Sequence, residues 1–423
     1  MPKIKLPYFK GSMEVNVEEN NLKAVLYPKI HDYFVELSEE NLVKQALNNP
    51  IGSPKLHELS KDRKNVLIIT SDHTRSVPSK ITLPLILKEI RKGNPNADIT
   101  ILIATGLHRK TTKEEQRVIF GNNIVNNEKI ECHDAMDKAQ MEYICDLPSG
   151  SSFEVNKLVV ETDLLITEGF VEPHFFAGFS GGRKSILPGV SSEVTIRQNH
   201  SARAIAHENS KGGILIGNVI NEDMIYAAKK VNAQFTLNVA LDAHKRIIAA
   251  FAGDIIQSHE GACEFVTELS SREKVIGDIV ITSNGGYPLD QNLYQSPKAM
   301  TTAKACAGED GVIIILSSCC DGLGGSEFER LMLSGPMDKV LKEILATPDK
   351  QTVSEQWCVQ VLADLLQKHK VILVTTFLDH EIVKKVGMIP ANSPDEALKI
   401  AYDLKSKDAS VVVIPDGVAV MIN

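Results

Sequence analysis

The chain has 423 residues, more than a single hydrophobic core usually holds, so its length predicts two domains. Hydrophobic residues make up 43% and charged residues 24% of the sequence, which is typical of a globular protein and excludes a largely disordered chain. A formal charge of −8 argues against a nucleic-acid partner, and without a bilayer-spanning apolar run or a signal-peptide core the chain is expected to be cytoplasmic.

The first part of the chain predicts a small structural region before the α/β units begin. Met13 to Tyr27 alternates apolar and polar residues around Glu19-Asn20-Asn21, as a two-stranded hairpin does. Ser38 is placed to cap a helix that runs through Asn48. Asn65 to Thr70 is a continuous apolar run, followed by the polar loop SDHTRSVPSK and a helical pattern. This order is the strand, loop and helix unit of an α/β fold.

Two loops at predicted strand ends carry the first candidate binding residues. In the second unit, 97–104 predicts a strand, the loop TGLHRK follows, and Thr112 with Glu115 forms a capping box for a helix. Ligands of open parallel sheets bind at the carboxyl edge of the strands. A lone histidine in such a loop is more often solvated or hydrogen-bonded than catalytic, but here it has polar company. The candidates at this edge are Asp72, His73, Thr74, Arg75 and His108.

The stretch from Thr167 to His200 holds the densest group of chemistry-bearing residues. Glycines at 178, 181 and 182 follow a predicted buried strand and free the backbone of Cβ atoms, so that a ligand can approach closely. A helix capped by Ser191 or Ser192, with Glu193 in its first turn, is expected to extend through His200. Such glycine-rich segments more often mark only a tight turn. The alternative is one pocket that contains His174, Lys184 and His200.

Several familiar site patterns are incomplete. GFSGGRKS lacks the glycine that a P-loop needs before its lysine, because Arg183 stands there. Ser180 has nucleophile-elbow spacing, but aromatic residues and His174 intervene where a strand should lead directly into it. The sequence thus disfavours a nucleoside triphosphatase and a Ser-His-Asp hydrolase. Seven cysteines without C-x-x-C spacing predict neither a disulfide framework nor a zinc site, and we expect reduced, buried thiols.

A second series of strands and helices begins near Arg272. Strands are predicted at 311–316, 371–375 and 409–414, alternating with helices near 327–346, 354–368 and 394–404. The sequence therefore predicts an α/β protein of two α/β domains with mainly parallel sheets and the active site in the cleft between them. The N-terminal domain is assigned to 1–271 and the C-terminal domain to 272–404, with a last segment, about 405–423, that could return to the first domain.

The first loop of the second series suits a small carboxylate. Tyr294, Gln295 and Lys298 lie within one turn and offer charge and hydrogen bonds, although a solvated helix start would look the same. Trp357, the chain's only tryptophan, could line a pocket, but a core position is the more usual role of a lone aromatic residue on a helix.

These residues lie in motifs that resemble the nickel-dependent lactate racemase family over the whole chain. The motifs are SDHTR at 71–75, ATGLH at 104–108, EPHFFAGFSGGRKSILPG at 172–189, RQNH at 197–200 and YQSPK at 294–298. Several are long and far more specific than a lone glycine pattern. The resemblance implies a racemase that interconverts D and L lactate by hydride transfer through pyruvate.

The same resemblance implies a cofactor and a role for each site residue. The cofactor would be nickel in a pincer complex of pyridinium-3,5-bisthiocarboxylic acid mononucleotide, supplied by cofactor biosynthesis proteins. It would be attached covalently at Lys184, with His200 as the protein ligand to nickel, and His108 and His174 would be the catalytic acid and base. The cofactor-binding residues would be Asp72, His73, Thr74, Arg75, Lys184 and His200. The substrate-binding residues would be Arg75, Tyr294, Gln295, Lys298 and Trp357.

Alternative functions stay open at this point. The substrate could be another 2-hydroxy acid, since only pocket shape separates these acids. A non-catalytic carrier of nickel or of a nucleotide would need Lys184 and His200 but not His108 and His174. A metal-dependent hydrolase built from the three histidines lacks the usual ligand spacing.

Overall fold

A computed structural model describes residues 3–423, in which strands and helices alternate along the chain. The strands are β1 (Lys3–Tyr8), β2 (Gly11–Asn16), β3 (Leu22–Val25), β4 (Asn65–Ser71), β5 (Asp98–Ala104), β6 (Lys129–Cys132), β7 (Met141–Asp146), β8 (Ser152–Asn156), β9 (Leu164–Phe170), β10 (Pro173–His174), β11 (Gly178–Phe179), β12 (Phe235–Leu241), β13 (Ile247–Gly253), β14 (Ser271–Arg272), β15 (Gly277–Ser283), β16 (Ala307–Leu316), β17 (Lys370–Val374), β18 (Ile389–Ala391), β19 (Val411–Ile414) and β20 (Met421–Ile422).

The helices connect these strands, as an α/β fold requires. They are α1 (Glu39–Asn48), α2 (Leu56–Leu59), α3 (Ser79–Gly93), α4 (Lys113–Phe120), α5 (Asn122–Asn127), α6 (Lys157–Val160), α7 (Glu193–Asn199), α8 (Ala202–Ile205), α9 (Val219–Lys230), α10 (Gln257–Ser270), α11 (Pro297–Cys306), α12 (Ser326–Met332), α13 (Met337–Ala346), α14 (Gln356–Lys368), α15 (His380–Lys385) and α16 (Pro394–Leu404). The predicted capping box of α4 is confirmed, because Thr112 Oγ1 accepts from the Glu115 N–H and Glu115 Oε2 accepts from the Thr112 N–H.

The chain forms two compact units. The central unit comprises Ile30–Asn199 and His207–Leu269, and the terminal unit comprises Met1–Lys29, His200–Ala206 and Ser270–Asn423. The chain therefore changes unit at Asn199, inside the RQNH motif.

The main sheet of the central unit has the strand order β13-β12-β9-β4-β5-β6. Its strands pair in parallel except for β13, which is antiparallel to β12 at one edge. Ile68, Ile101 and Ile166, on three adjacent strands, are fully buried and pack in one core with residues of α3. Burial on both faces explains why these strands read as continuous apolar runs in the sequence.

The main sheet of the terminal unit is parallel throughout, with the order β18-β17-β16-β15-β19-β3. The predicted two α/β regions with mainly parallel sheets are thus confirmed. The suggested return of about 405–423 to the N-terminal domain is not seen, because β19 lies between β15 and β3 in this sheet. Both neighbours of β19, β15 and β3, come from distant parts of the chain, and the residues of β19 alone do not show which strands it will pair with.

The predicted hairpin over Met13 to Tyr27 is wrong. Its first strand, β2, pairs antiparallel with β1, and its second, β3, pairs in parallel with β19. The turn between β1 and β2 contains Phe9 at φ 48°, in the left-handed region. Alternating polarity set the strands correctly, but it carries no information about which strand each will pair with.

The cysteine side chains and the lengths of the helices bear on two further expectations. Within residues 3–423 the cysteines form no disulfide, and Cys320 is exposed although the sequence suggested buried thiols. The helices described by the structure include none long and apolar enough to cross a membrane.

Candidate functional site

Asp72 and His108 meet at the carboxyl edge of the central unit's sheet. The adjacent strands β4 and β5 end at Ser71 and Ala104, so the two loops begin side by side. His108 Nδ1 lies 2.7 Å from Asp72 Oδ2, and the second carboxylate oxygen accepts from the Thr74 N–H at 3.0 Å and the Thr74 hydroxyl at 2.7 Å. Asp72 is 2% exposed, whereas the His108 side chain is 38% exposed.

The electrostatics of this pair favour an ionised carboxylate. Burial alone would raise the pKa of Asp72, but the hydrogen bond and charge of His108, with the charge of Arg75, lower the pKa to about 2. An ionised Asp72 can only accept, so the His108 Nδ1 atom donates and Nε2 is the nitrogen available for proton exchange. The two loops therefore form an aspartate–histidine pair.

The other residues of the SDHTR motif divide between two neighbourhoods. His73 Nδ1 lies 3.3 Å from Thr111 Oγ1, and burial lowers the pKa of His73. The backbone N–H of Arg75 donates to the Asp72 carbonyl at 3.2 Å. Thr111 was not singled out in the sequence, since a threonine before a capping box has no distinctive pattern.

His174 lies in a small hairpin rather than on a main strand. It pairs with Gly178 across β10 and β11, and its Nδ1 atom accepts from the Ala177 N–H at 3.3 Å. Its ring stacks on Phe175 at 5.1 Å and meets the edge of Phe176 at 4.6 Å between centroids. These contacts leave Nε2 as the nitrogen through which a neutral His174 carries its proton.

Lys184 stands in a 3₁₀ turn, Gly182–Ser185, immediately after the glycines. Its Nζ atom lies 5.7 Å from the centroid of Phe176, the ring that His174 also contacts. Gly181 and Gly182 have φ values of 77° and 51°. The predicted need for glycine is real, but the atoms that a Cβ would meet here belong to the chain itself: Asn238 Oδ1 at 2.6 Å from position 181 and the His259 ring at 2.8 Å from position 182.

A backbone hydrogen bond connects the His108 loop with the Lys184 segment. The Gly106 N–H donates to the Gly189 carbonyl at 3.0 Å, and the Gly189 N–H donates to the Lys184 carbonyl at the same distance. In the central unit, backbone hydrogen bonds thus connect the loop that carries His108 with the segment that carries Lys184.

His200 lies in the terminal unit and not on the helix predicted for it. The helix α7 begins at Glu193, with the Ser192 hydroxyl accepting from the Thr195 N–H, and it ends at Asn199. The predicted N-cap is confirmed, but the expected extension of the helix through His200 is wrong. Ser201 starts α8 by accepting from the Ala204 N–H, and this second cap ends the first helix early.

His200, Trp357 and Tyr294 form a contact series within the terminal unit. The rings of His200 and Trp357 meet edge to face at 5.0 Å, and both residues are about 95% buried. The Trp357 indole N–H donates to the Tyr294 hydroxyl at 3.1 Å. Burial raises the pKa of Tyr294 well above its ordinary value, so the hydroxyl stays neutral. Trp357 is buried, as a core residue would be, and it also contacts Tyr294, a predicted substrate-binding residue.

Gln295 and Lys298 are half-buried beside this series. Gln295 ends the 3₁₀ turn Leu293–Gln295, and Lys298 lies in the first turn of α11. The charge of Lys298 acts on the thiol of Cys358, whose pKa burial raises to about 12. The amide and the ammonium group thus accompany the aromatic series in one unit.

Glu168 is a buried ionisable residue that the sequence reading missed. It lies on β9, is 1% exposed, and accepts from the hydroxyls of Thr70 at 2.6 Å, Ser79 at 3.2 Å and Thr82. Burial raises the pKa of Glu168. The signal for it was a single acidic residue within an otherwise apolar strand. Its partners join the end of β4 to the start of α3, on either side of the SDHTR loop.

Within residues 3–423 no group of three or more His, Cys, Asp or Glu residues is arranged to hold a metal ion. The role of His200 as a single protein ligand stays a prediction.

Comparison with known proteins connects both parts of the chain to one family. The model of the lactate racemase N-terminal domain matches residues 8–213, and that of the lactate racemase C-terminal domain matches residues 272–422. A lactate racemase from Thermoanaerobacterium thermosaccharolyticum is 49% identical over 424 residues, covering 100% of this chain and 99% of its own length. A lactate racemase from Lactiplantibacillus plantarum is 44% identical over 423 residues, covering 100% of each protein.

Solved structures agree with this relationship. The lactate racemase apoprotein of T. thermosaccharolyticum superposes with a TM-score of 0.96 at 48% identity, over 100% of both chains. A protein from Thermotoga maritima gives a TM-score of 0.68 at 19% identity, over 92% of this chain and 99% of its own. The second match shows a shared fold alone.

Proposed function

Because the chain belongs to the lactate racemase family and is an isomerase, we propose that it interconverts D and L lactate by hydride transfer through pyruvate, using a nickel pincer nucleotide. The observation that carries this proposal is the Asp72–His108 pair at the carboxyl edge of a parallel sheet. It supplies a positioned proton acceptor where such folds bind their ligands.

The chemistry of the substrate explains why a hydride route is preferred. The α-hydrogen of lactate is next to a carboxylate, and its removal as a proton would create a dianion. If the hydrogen leaves as hydride and the hydroxyl loses its proton, the α-carbon becomes the neutral ketone carbon of pyruvate, and no dianion forms. When bound, the pincer nucleotide would supply the carbon that accepts and returns this hydride.

His108 is suited to move the hydroxyl proton for one enantiomer. Asp72 holds Nδ1 and therefore fixes the tautomer, so that Nε2 takes the proton from the hydroxyl as hydride leaves the α-carbon. The positive charge that forms on the ring is stabilised by the ionised Asp72. Return of the proton completes the product.

His174 is proposed to serve the other enantiomer. Its Nδ1 atom accepts from the Ala177 N–H, so its proton exchange also runs through Nε2. A racemase must work on either face of a planar ketone, and two imidazoles on separate loops meet that need. Pyruvate reduced on the opposite face then gives the mirror-image lactate.

The chain's residues fit the proposed cofactor in kind. Lys184 offers an amine for covalent attachment on a loop whose backbone is held by internal contacts. His200 offers one imidazole, a ligand that nickel accepts, and its ring is steadied by Trp357. Of the SDHTR residues we propose Asp72, His73, Thr74 and Arg75 for the nucleotide part, with Asp72 also bonded to His108.

The substrate carboxylate is proposed to bind the half-buried polar residues of the terminal unit. Lys298 supplies charge and Gln295 a hydrogen-bonding amide. Tyr294 and Trp357 would line this region, with the hydroxyl and the indole bonded to each other.

The test is lactate carrying deuterium at the α-carbon, given to protein produced together with the cofactor biosynthesis proteins. Early product is analysed by mass spectrometry. The hydride route predicts that the mirror-image lactate keeps most of its deuterium, since the label returns to carbon without meeting water. Complete exchange with solvent in the first turnovers would show proton abstraction instead. Absence of turnover on lactate, with turnover on another acid in a substrate panel, would transfer the assignment to that acid.

A further inference from the structure

Arg183 is a fully buried cation next to Lys184. Its side chain is 1% exposed, and burial lowers its pKa to about 10, which leaves it charged at neutral pH. Among the ion pairs of residues 3–423, none involves Arg183. Buried arginines are normally paired with an acid, so a cation without one needs another explanation.

The guanidinium group instead donates hydrogen bonds to backbone carbonyls of the loop that leads into Lys184. Nη2 donates to the Ala177 carbonyl at 2.8 Å, and Nη1 lies 3.2 Å from the Gly181 carbonyl and 3.4 Å from the Ser180 carbonyl. Nε donates to Asn221 Oδ1 at 2.7 Å. Three carbonyls of one short loop thus converge on a single planar fork, a pattern that a lysine ammonium cannot reproduce.

Two more side chains hold the same loop. Asn238 Oδ1 accepts from the Gly182 N–H at 3.0 Å, and the His259 ring lies against the Gly182 Cα with Nε2 3.0 Å from Arg183 Nη1. His259 Nε2 is also 2.8 Å from the Ser180 carbonyl. Side chains of β12, α9 and α10 therefore fix the backbone that leads directly into Lys184, whose N–H bonds the Gly181 carbonyl at 3.1 Å.

We propose that Arg183 is a positioning residue, whose guanidinium shapes the loop 177–184 so that the Lys184 amine is presented to its reaction partner. This inference rests on the proposed attachment of the cofactor at Lys184. For stability alone, an apolar side chain of similar volume would serve as well in this interior. The donors of Arg183 are directed mainly at the loop carbonyls, and this direction distinguishes a template for the loop from a core filler.

The experiment compares wild type with Arg183→Met, Arg183→Lys and Asn221→Ala, and Arg117→Met is the control. Arg117 is an exposed arginine on α4 in the same unit, with a side chain 49% exposed. Asn221→Ala keeps the guanidinium and removes its Nε acceptor, together with the hydrogen bond that Asn221 Nδ2 donates to the Leu215 carbonyl, so it gives a result even if Arg183→Met does not fold. The first measurement is amide hydrogen exchange of protein without cofactor.

Exchange of the amides in 178–185 should become at least about tenfold faster in both Arg183 variants, because several charge-assisted hydrogen bonds to the loop are lost together. Amides of β12 should keep their wild-type rates in the same samples. Unchanged protection of the loop in Arg183→Met and Arg183→Lys would overturn the inference whether or not a cofactor binds. Arg117→Met should match wild type throughout.

The second measurement is the mass of Lys184 peptides after production with the cofactor biosynthesis proteins. Wild type should carry the added mass, and the covalently modified fraction should fall several-fold in Arg183→Lys although noncovalent cofactor, released on denaturation, is still present. A merely structural role would reduce both forms together. Equal covalent fractions in wild type and Arg183→Lys overturn the inference. If wild type itself carries no mass at Lys184, the proposed attachment fails, and the exchange data still show whether Arg183 shapes the loop.

Discussion

His108 Nδ1 and Asp72 Oδ2 are 2.7 Å apart, at the ends of two neighbouring strands. The resemblance to the family had grouped Asp72 with the cofactor-binding residues. That role stays a prediction, and the contact also makes Asp72 the partner of the proposed catalytic histidine, because its two oxygens accept from His108 and Thr74.

Asp72→Asn should lower kcat in both directions by roughly 10- to 100-fold, the usual cost of losing a residue that orients a functional histidine. The amide is neutral and no longer stabilises a charged His108 ring. Initial rates from each enantiomer are the measurement. His57→Ala is the matched control, since His57 Nδ1 also lies 2.9 Å from a carboxylate, Glu89, on the helices of the same unit. A full rate in Asp72→Asn would remove the pair from the mechanism.

His108→Ala and His174→Ala should each reduce turnover by about 10²- to 10⁴-fold, the range that positioned acid–base groups contribute. A reversible racemisation uses one imidazole for each enantiomer, so either loss blocks both directions. Rates are measured together with bound nickel, which should remain at the wild-type level. Near-normal turnover with one histidine removed would rule out the two-base assignment, and a loss of nickel would point to cofactor binding instead.

Loading with the nickel cofactor should change the emission of Trp357. The chain has a single tryptophan, and its ring lies 5.0 Å from that of His200, the proposed nickel ligand. The emission of protein produced with and without the cofactor biosynthesis proteins is compared, and removal of nickel by a chelator should reverse the change. His200→Ala should abolish the response. Identical spectra in the presence of stoichiometric nickel would place the metal away from His200.

Tyr294→Phe should destabilise the chain by about 1–3 kcal/mol, because the buried Trp357 indole N–H loses its acceptor. The free energy of unfolding is measured by chemical denaturation. In a Trp357→Phe background the same substitution should cost less, since no indole donor remains to be left unpaired. Equal costs in the two backgrounds would mean that the hydroxyl contributes through other contacts.

Glu168→Gln should change the pH dependence of stability. Burial raises the pKa of Glu168 above its ordinary value of 4.5, so the folded chain binds this proton more tightly than the unfolded chain. The contribution of Glu168 to stability is therefore present below pH 4.5 and is lost as pH rises from 4.5 through the folded pKa. Denaturation midpoints over this range should fall in wild type relative to Glu168→Gln. Glu131→Gln, an exposed change on β6, should follow wild type.

The sequence predicted the elements better than their partners. Apolar runs such as Asn65 to Thr70 and the capping box at Thr112 were read correctly, because each depends on neighbouring residues. The pairing of β2 with β1 and of β3 with β19 depends on residues far away in the chain, and alternation alone could not supply it. The end of α7 before His200 likewise depended on a competing cap at Ser201.

For the site, the motifs located residues but not their contacts. Asp72 and His108 could be placed at one sheet edge because they follow consecutive strands. The bond between the Trp357 indole and the Tyr294 hydroxyl joins residues from separate elements and has no local signature. Arg183 was noted only because it breaks the P-loop pattern, and its buried contacts depend on Asn221 and His259 from distant helices.

The pairing of β3 with β19 sets an order of events during synthesis on the ribosome. Val25 leaves the ribosome about 390 residues before its partner Val413, a delay of roughly 20 to 80 s at ordinary elongation rates. The central unit is completed when Leu269 has emerged, well before that strand exists. The nascent chain must therefore carry β3 without its partner strand after the central unit is complete, and the exposure of β3 to chaperones and proteases ends only when Val413 has emerged.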